Sequence, residues 1–185
     1  MATIEPTKFK GEQVTLAGKT YTDIVSLDEP AKSAYIQCSW FNDKQIKHME
    51  AGLKAIGQNP TVSLKRSHHP LSHQYNDINV EEHPEVMEDF EWQTCTYAMD
   101  MSNLYGNDLG IGLYVPSAED SGQAYEQGAL RAAHIPNILV IPDEEADVPL
   151  NLMIGMGNTR IIKLSELATF DFNDVTYAPY TGKVF

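Results

Sequence analysis

Long apolar runs are missing from this 185-residue chain: no stretch approaches the roughly 18 consecutive apolar residues of a membrane-spanning helix. The opening MATIEPTKFKGEQ also lacks the apolar stretch of a secretory signal. A cytoplasmic protein with no membrane partner is expected. Cysteine is scarce as well. Cys38 and Cys95 are the only two, too few for a disulfide framework and without metal-ligand spacing, so both read as reduced thiols. Basic residues are outnumbered two to one, with 13 Lys and Arg against 26 Asp and Glu and a net charge of -13. Those 13 are scattered, whereas a nucleic acid polymer needs a basic stripe to neutralise its phosphates. An uncharged small substrate is favoured over a polyanion. No internal repeat stands out, and 42% hydrophobic with 21% charged residues is an ordinary globular balance.

What is present alternates. Residues 1–32 stand apart: VTLAGKTYTDIV alternates apolar and polar residues around Ala-Gly-Lys, predicting a hairpin extension, and SLDEPAK breaks the pattern before a main domain over 33–185. AYIQC (34–38) reads as a short strand. In DKQIKHMEAGLKAIG, Ile46, Met49, Leu53 and Ile56 recur at helical spacing, with Gly57 as the stop. TVSLK (61–65) reads as a weak strand, followed by a long loop. PEVMEDFEWQTCTYAMDMSNLY reads as one long helix with Val86, Phe90, Tyr97, Met101 and Leu104 along one side. NDLGIGLYV (107–115) is a buried-type strand, Ser117 can cap a helix running toward His134, and PNILVIP (136–142) and RIIKL (160–164) are further strands. Strands that are apolar throughout and alternate with helices argue a parallel sheet covered on both faces. The expected fold is α/β, flavodoxin-like and doubly wound, with about five parallel strands. Ligands bind such sheets beyond the carboxyl ends of the strands, here near residues 38–41, 115–120 and from 143 onward.

Three acidic residues gather at those ends. Glu126, in DSGQAYEQG, shares a helix face with Gly122, Gln123, Ala129 and Leu130, and a glutamate on such a face is partnered, lines a cavity or lies at the surface. Asp120 precedes that helix and Asp100 lies on the long helix. Two carboxylates about one anomeric centre are the equipment of glycosyl transfer, one attacking the sugar and the other serving the leaving group. From spacing alone, Glu126 is equally a helix-surface glutamate and Asp100 a solvated aspartate. His68, His69 and His73 match no zinc pattern and read as structural, so no metal is expected. The glycines of GNDLGIGLY fall inside an apolar strand and cradle no phosphate. DEEAD (143–147) reads as a solvated loop. Trp40 and Phe41 suit either the core or stacking on a planar base.

Read together, these segments resemble the nucleoside 2-deoxyribosyltransferase family. The resemblance rests on YIQCSWFND (35–43), QYNDINVEEHPE (74–85), WQTCTYAMD (92–100), Asp120-Ser-Gly-Gln-Ala-Tyr-Glu126, VIPD, NLM (151–153) and DFN, in that order over residues 34–185. It implies transfer of a 2-deoxyribosyl group between nucleobases, purine and pyrimidine, with no cofactor. By resemblance Glu126 is the nucleophile, Tyr35 orients it, and Asp100 shares a proton with the base. Asp120 and Gly122 then belong to the sugar pocket, Gln74, Trp40 and Phe41 to the base pocket. Asn151 and Met153 match residues that the family supplies to a neighbouring subunit's site, implying a homo-oligomer, commonly a hexamer. Two departures stand out. QCS (37–39) fills a turn where members often carry glycine, implying a differently shaped base pocket, and Phe185 stands where relatives end in tyrosine. Two other readings remain: a deoxynucleoside or deoxynucleotide N-glycoside hydrolase using the same glutamate, and a non-catalytic ligand-binding module.

Overall fold

The computed structural model describes residues 9–27 and 31–185. Most of the start read for a signal, and Asp28-Glu29-Pro30 of SLDEPAK, lie outside the described residues. Strands β1 (Phe9–Leu16) and β2 (Lys19–Ser26) pair antiparallel, with Leu16 opposite Lys19. The chain reverses through Ala17 and Gly18, both at positive φ (47° and 69°), as the tightest hairpin turns require. Leu16 and Tyr21 enter the main core. Asp23 is fully buried and accepts hydrogen bonds from the Ser63 hydroxyl and the N–H groups of Leu64 and Lys65.

The central sheet holds four parallel strands in the order β3 (Ala34–Cys38), β4 (Leu109–Leu113), β5 (Asn137–Ile141) and β6 (Arg160–Lys163). TVSLK does not complete a fifth. Its one bridge, Lys32–Val62, precedes β3, and the next bridge, Tyr35–His68, lies beyond TVSLK. The hairpin interrupts the ladder: after Ser63 donates to Lys32 O, the Lys65 N–H that would continue it is taken by Asp23, as is the outward Leu64 N–H. The edge segment, β3, β4, β5 and β6 nonetheless follow the doubly wound flavodoxin-like order.

Helices cover both faces. Helix α1 (Asp43–Gly57), capped by Asn42, packs Met49, Leu53 and Ile56 against Ile36, Ile111, Ile138 and Val140. On the opposite face lie α2 (Phe90–Gly106), α3 (Ser121–Ala132) and α4 (Leu152–Gly157), with Leu104, Leu130 and Ile154 buried beneath them. A last turn, α5 (Leu164–Leu167), returns to the α1 side and adds Leu167 to that core. Gly110 is demanded by packing: a Cβ there would fall 2.3 Å from Asn137 Oδ1 and 2.4 Å from Leu130. Among the described residues no helix is long and apolar enough to cross a membrane.

Four local expectations need correction. The long helix begins at Phe90, capped by Asp89, and residues 84–88 form a separate 3-10 turn. Of its predicted apolar side only Leu104 is buried; Phe90 and Tyr97 are exposed, while Trp92 and Thr96 face inward. Helix α3 is capped by Asp120 rather than Ser117. Ser117 instead donates its N–H and hydroxyl to Glu145, which is buried, so DEEAD is not a solvated loop throughout.

Candidate active site

Tyr35 lies in the middle of β3 and is completely buried, yet its hydroxyl reaches Glu126 Oε1 at 2.7 Å. Strand and helix hold both ends of that bond. Tyr35 packs with Leu104 and Leu130 under α2 and α3, while Glu126 sits one turn into α3 beside Gln127 and Leu130, which face the sheet. Burial pushes the Glu126 carboxyl up to about 8, and the negative charges of Asp100 and Asp120 push the same way. The Tyr35 hydroxyl pulls it down by donating to the ionised form. Burial and the carboxylates of Glu126 and Asp100 raise the Tyr35 phenol, which keeps its proton as a donor.

Asp100 approaches from α2. Its Oδ1 lies 2.9 Å from Nε2 of His68, whose ring stacks on Tyr35 with centroids 5.4 Å apart and planes within 10°. The Asp100 carboxylate keeps 22% of its surface exposed, and its Oδ2 has no partner among the described residues. Both Asp120 oxygens already accept: Oδ1 from the Gly122 N–H, and Oδ2 from the Gln123 N–H and from the Ser39 hydroxyl at 2.8 Å. A Cβ on Gly122 would meet only the Asp120 carboxylate, at 3.5 Å, so protein packing leaves that position open.

The remaining candidates surround this cluster at different depths. Gln74 is buried, its Oε1 held by the Val80 N–H, and the next residue, Tyr75, donates its N–H to Thr96, one helical turn from Asp100. Trp40 packs on the core while Phe41 is exposed beside it, their rings 5.4 Å apart. Asn151 caps α4, and Met153 on that helix is exposed. No contact joins either to Glu126. Phe185 pairs by backbone with Leu150 and Leu152 at the start of α4 and likewise shows no contact with Glu126. Gln37 and Cys38 belong to β3 rather than to a turn. Gln37 donates to Asn137 beneath α3, and only Ser39 faces the Asp120 side.

Sequence reasoning missed two members, Ser39 and His68. Neither carries a local signal, because both act on residues far along the chain. His69, by contrast, is a core histidine, held down to about 3 by burial and by His73 and His68 and set against Cys38 Sγ. A cavity of about 530 Å3 between β2 and α1 holds none of the candidate residues; its one carboxylate, Glu50, is paired with Lys19.

A half-buried carboxyl with a phenol donor and two further carboxylates nearby is an arrangement chemically suited to attack on an uncharged sugar. The family model for nucleoside 2-deoxyribosyltransferase matches residues 34–153. The chain belongs to that family. It is 38% identical over 156 residues to a nucleoside deoxyribosyltransferase of Lactobacillus leichmannii, covering 84% of this chain and 99% of that one. To the nucleoside deoxyribosyltransferase of Lactobacillus johnsonii it is 42% identical over 146 residues, 79% of this chain and 98% of the relative. The fold is shared with a solved 2-deoxyribosyltransferase of Bacillus psychrosaccharolyticus at a TM-score of 0.63 and 24% identity, over 80% of this chain and 98% of that chain.

Proposed function

We propose that the chain transfers a 2-deoxyribosyl group between nucleobases by a retaining double displacement, with Glu126 as nucleophile. The observation that carries the assignment is the 2.7 Å bond from Tyr35 to a carboxyl whose other neighbours are the carboxylates of Asp100 and Asp120. Ionised Glu126 attacks the anomeric carbon, the glycosidic bond breaks with its electron pair passing to the base nitrogen, and Asp100 supplies that nitrogen with a proton. A second base then returns a proton to Asp100 and displaces Glu126 from the same carbon. Two inversions give retention. No cofactor is needed, because the protein supplies both nucleophile and proton donor.

Asp120, preorganised by Ser39 and by the first turn of α3, presents its remaining lone pair to a sugar hydroxyl, with Gly122 leaving room beside it. Gln74, with its Oε1 fixed, offers its amide nitrogen to the base, and Trp40 with Phe41 forms the aromatic wall. Residues 33–185 carry the reaction, and the hairpin is an extension folded onto them. The exposed Leu152, Met153 and Met156 of α4 support a homo-oligomer, a hexamer, in which Asn151 and Met153 complete a neighbour's site. The acting location is the cytoplasm, where deoxynucleosides and free bases meet.

Intact-protein mass spectrometry after mixing with a 2-fluoro-2-deoxy nucleoside tests the nucleophile. An adduct mapped to Glu126 is expected, and an adduct on any other residue overturns the assignment. Incubation with deoxyinosine and adenine tests the acceptor: deoxyadenosine must appear faster than free sugar, or water rather than a base is the acceptor.

A further inference from the structure

His68 is the best-fixed polar group near the site, and the mechanism above does not use it. Its backbone is clamped to β3 from both sides, donating to Ala34 O and accepting from the Ile36 N–H, each at 2.8 Å. Its ring lies between Tyr35 and His73, with centroids 5.4 and 5.0 Å away, and is 6% exposed. A ring locked in this way points one nitrogen, Nε2, at Asp100 Oδ1 from 2.9 Å. Oδ2 is left to the substrate.

We propose that His68 is a positioning residue for proton exchange with the nucleobase, acting through Asp100; this rests on the reading of Asp100 as the group that exchanges that proton. A carboxylate only accepts hydrogen bonds, so once Asp100 is ionised the His68 proton must sit on Nε2. When Asp100 Oδ2 gives its proton to the departing base, the Nε2–H bond to Oδ1 becomes charge-assisted and shortens the gap in energy to the product carboxylate. When the incoming base loses a proton, Oδ2 receives it and the bond relaxes to its neutral form. His68 itself neither gains nor loses a proton. One residue ties the two catalytic carboxyls together: Tyr35 holds Glu126 with its hydroxyl and His68, through which Asp100 is held, against its ring face.

The titratable groups around the pair are Tyr35 and Cys38 from β3, Asp120 and Glu126 from α3, and His69 and His73 from the loop. Among the described residues, His68 alone forms a side-chain hydrogen bond with the Asp100 carboxylate.

The test compares His68→Phe, which keeps a ring on Tyr35 and deletes the N–H, with His68→Gln, which restores an N–H donor, and with Asp100→Asn. Pre-steady-state release of hypoxanthine from deoxyinosine is followed against pH. His68→Phe is expected to slow release by about 10-fold or more with KM little changed, since a hydrogen bond to a charged group is lost, and to move the alkaline limb of the profile to higher pH. His68→Gln recovers most of both. If Asp100→Asn is impaired but His68→Phe superimposes on the parent profile, or Gln does no better than Phe, the role of His68 is wrong while that of Asp100 stands. If Asp100→Asn releases base at the parent rate, the Asp100 reading itself fails. Should the variants not fold, nitrogen-15 histidine NMR of the parent protein decides: a proton on Nε2 is expected, and one on Nδ1 alone overturns the proposal.

Discussion

Tyr35 and Glu126, 91 residues apart in sequence, share a 2.7 Å hydrogen bond that couples strand β3 of the parallel sheet to the helix α3. The bond opposes burial, which otherwise holds the Glu126 carboxyl in its neutral form, and so enlarges the fraction of molecules ready to attack.

Removing that donor has a defined sign. In the free enzyme, activity at low substrate requires ionised Glu126, so the acid limb of the kcat/KM profile rises with pH through about 8, and the alkaline limb belongs to loss of the proton that the leaving base needs. Tyr35→Phe deletes the interaction that lowers the carboxyl, so the rising limb moves to higher pH. At neutral pH the variant loses activity by about 10-fold to 100-fold, the range for a hydrogen bond to a charged group. Steady-state kinetics between pH 5 and pH 9 check this; a limb that stays in place contradicts it.

The same shift predicts a gain in stability from losing the nucleophile. In the unfolded chain Glu126 titrates near 4.5, and in the folded protein near 8. The stability of the protonated form is therefore full below about pH 4.5 and is lost as pH rises through 8. Glu126→Gln has no charge to bury. It should match the parent at pH 4 and exceed it by about 4 kcal/mol at pH 8, read from urea unfolding at the two pH values.

How much of this was legible depended on the reach of each interaction. Spacing alone grouped Glu126 with Gly122, Gln123, Ala129 and Leu130 on one helix face at a strand end, because that inference needs only the 3.6-residue period, and left a surface glutamate equally open. Its partner Tyr35 was named by resemblance, and Asp100's partner His68 was not found at all, since 32 residues separate them and no period links them. Helix starts failed where two caps competed. Ser117 and Asp120 are both good N-caps, and the choice was made by Glu145, which claims Ser117 across 28 residues. On α2 the apolar period was real, but periodicity marks apolar residues without saying what covers them. Phe90, at 79% exposure, is left largely uncovered by the described residues. TVSLK failed as a strand because a carboxylate from the hairpin took its N–H groups.

Asp23 accordingly carries a stability prediction of its own. The carboxylate is fully buried and satisfies three donors, the Ser63 hydroxyl and the N–H groups of Leu64 and Lys65. Asp23→Ala leaves all three unpaired, at a cost of about 2–4 kcal/mol. Thermal unfolding should fall by several degrees, while transfer at low temperature, measured per folded molecule, stays near the parent rate because Asp23 touches none of the candidate residues. A stability equal to that of the parent would show that the hairpin is not held through Asp23.

The α4 surface supplies the prediction on assembly. Leu152, Met153 and Met156 are exposed at 50%, 76% and 41%, an apolar face on a six-residue helix whose N-terminus is capped by Asn151. Exposed methionines are costly in a free monomer and ordinary in an interface. Met153→Glu puts a charge at the centre of that face, where burying it unpaired costs several kcal/mol. Sedimentation should then show smaller species, and transfer activity should fall with them, because the residues lost to a neighbour's site are those that the neighbour lacks. Dissociation with full activity would separate the two claims, keeping the interface and removing Asn151 and Met153 from catalysis. An unchanged oligomer would place the interface elsewhere, with the exposed Phe90 and Tyr97 of α2 as the next surface to substitute.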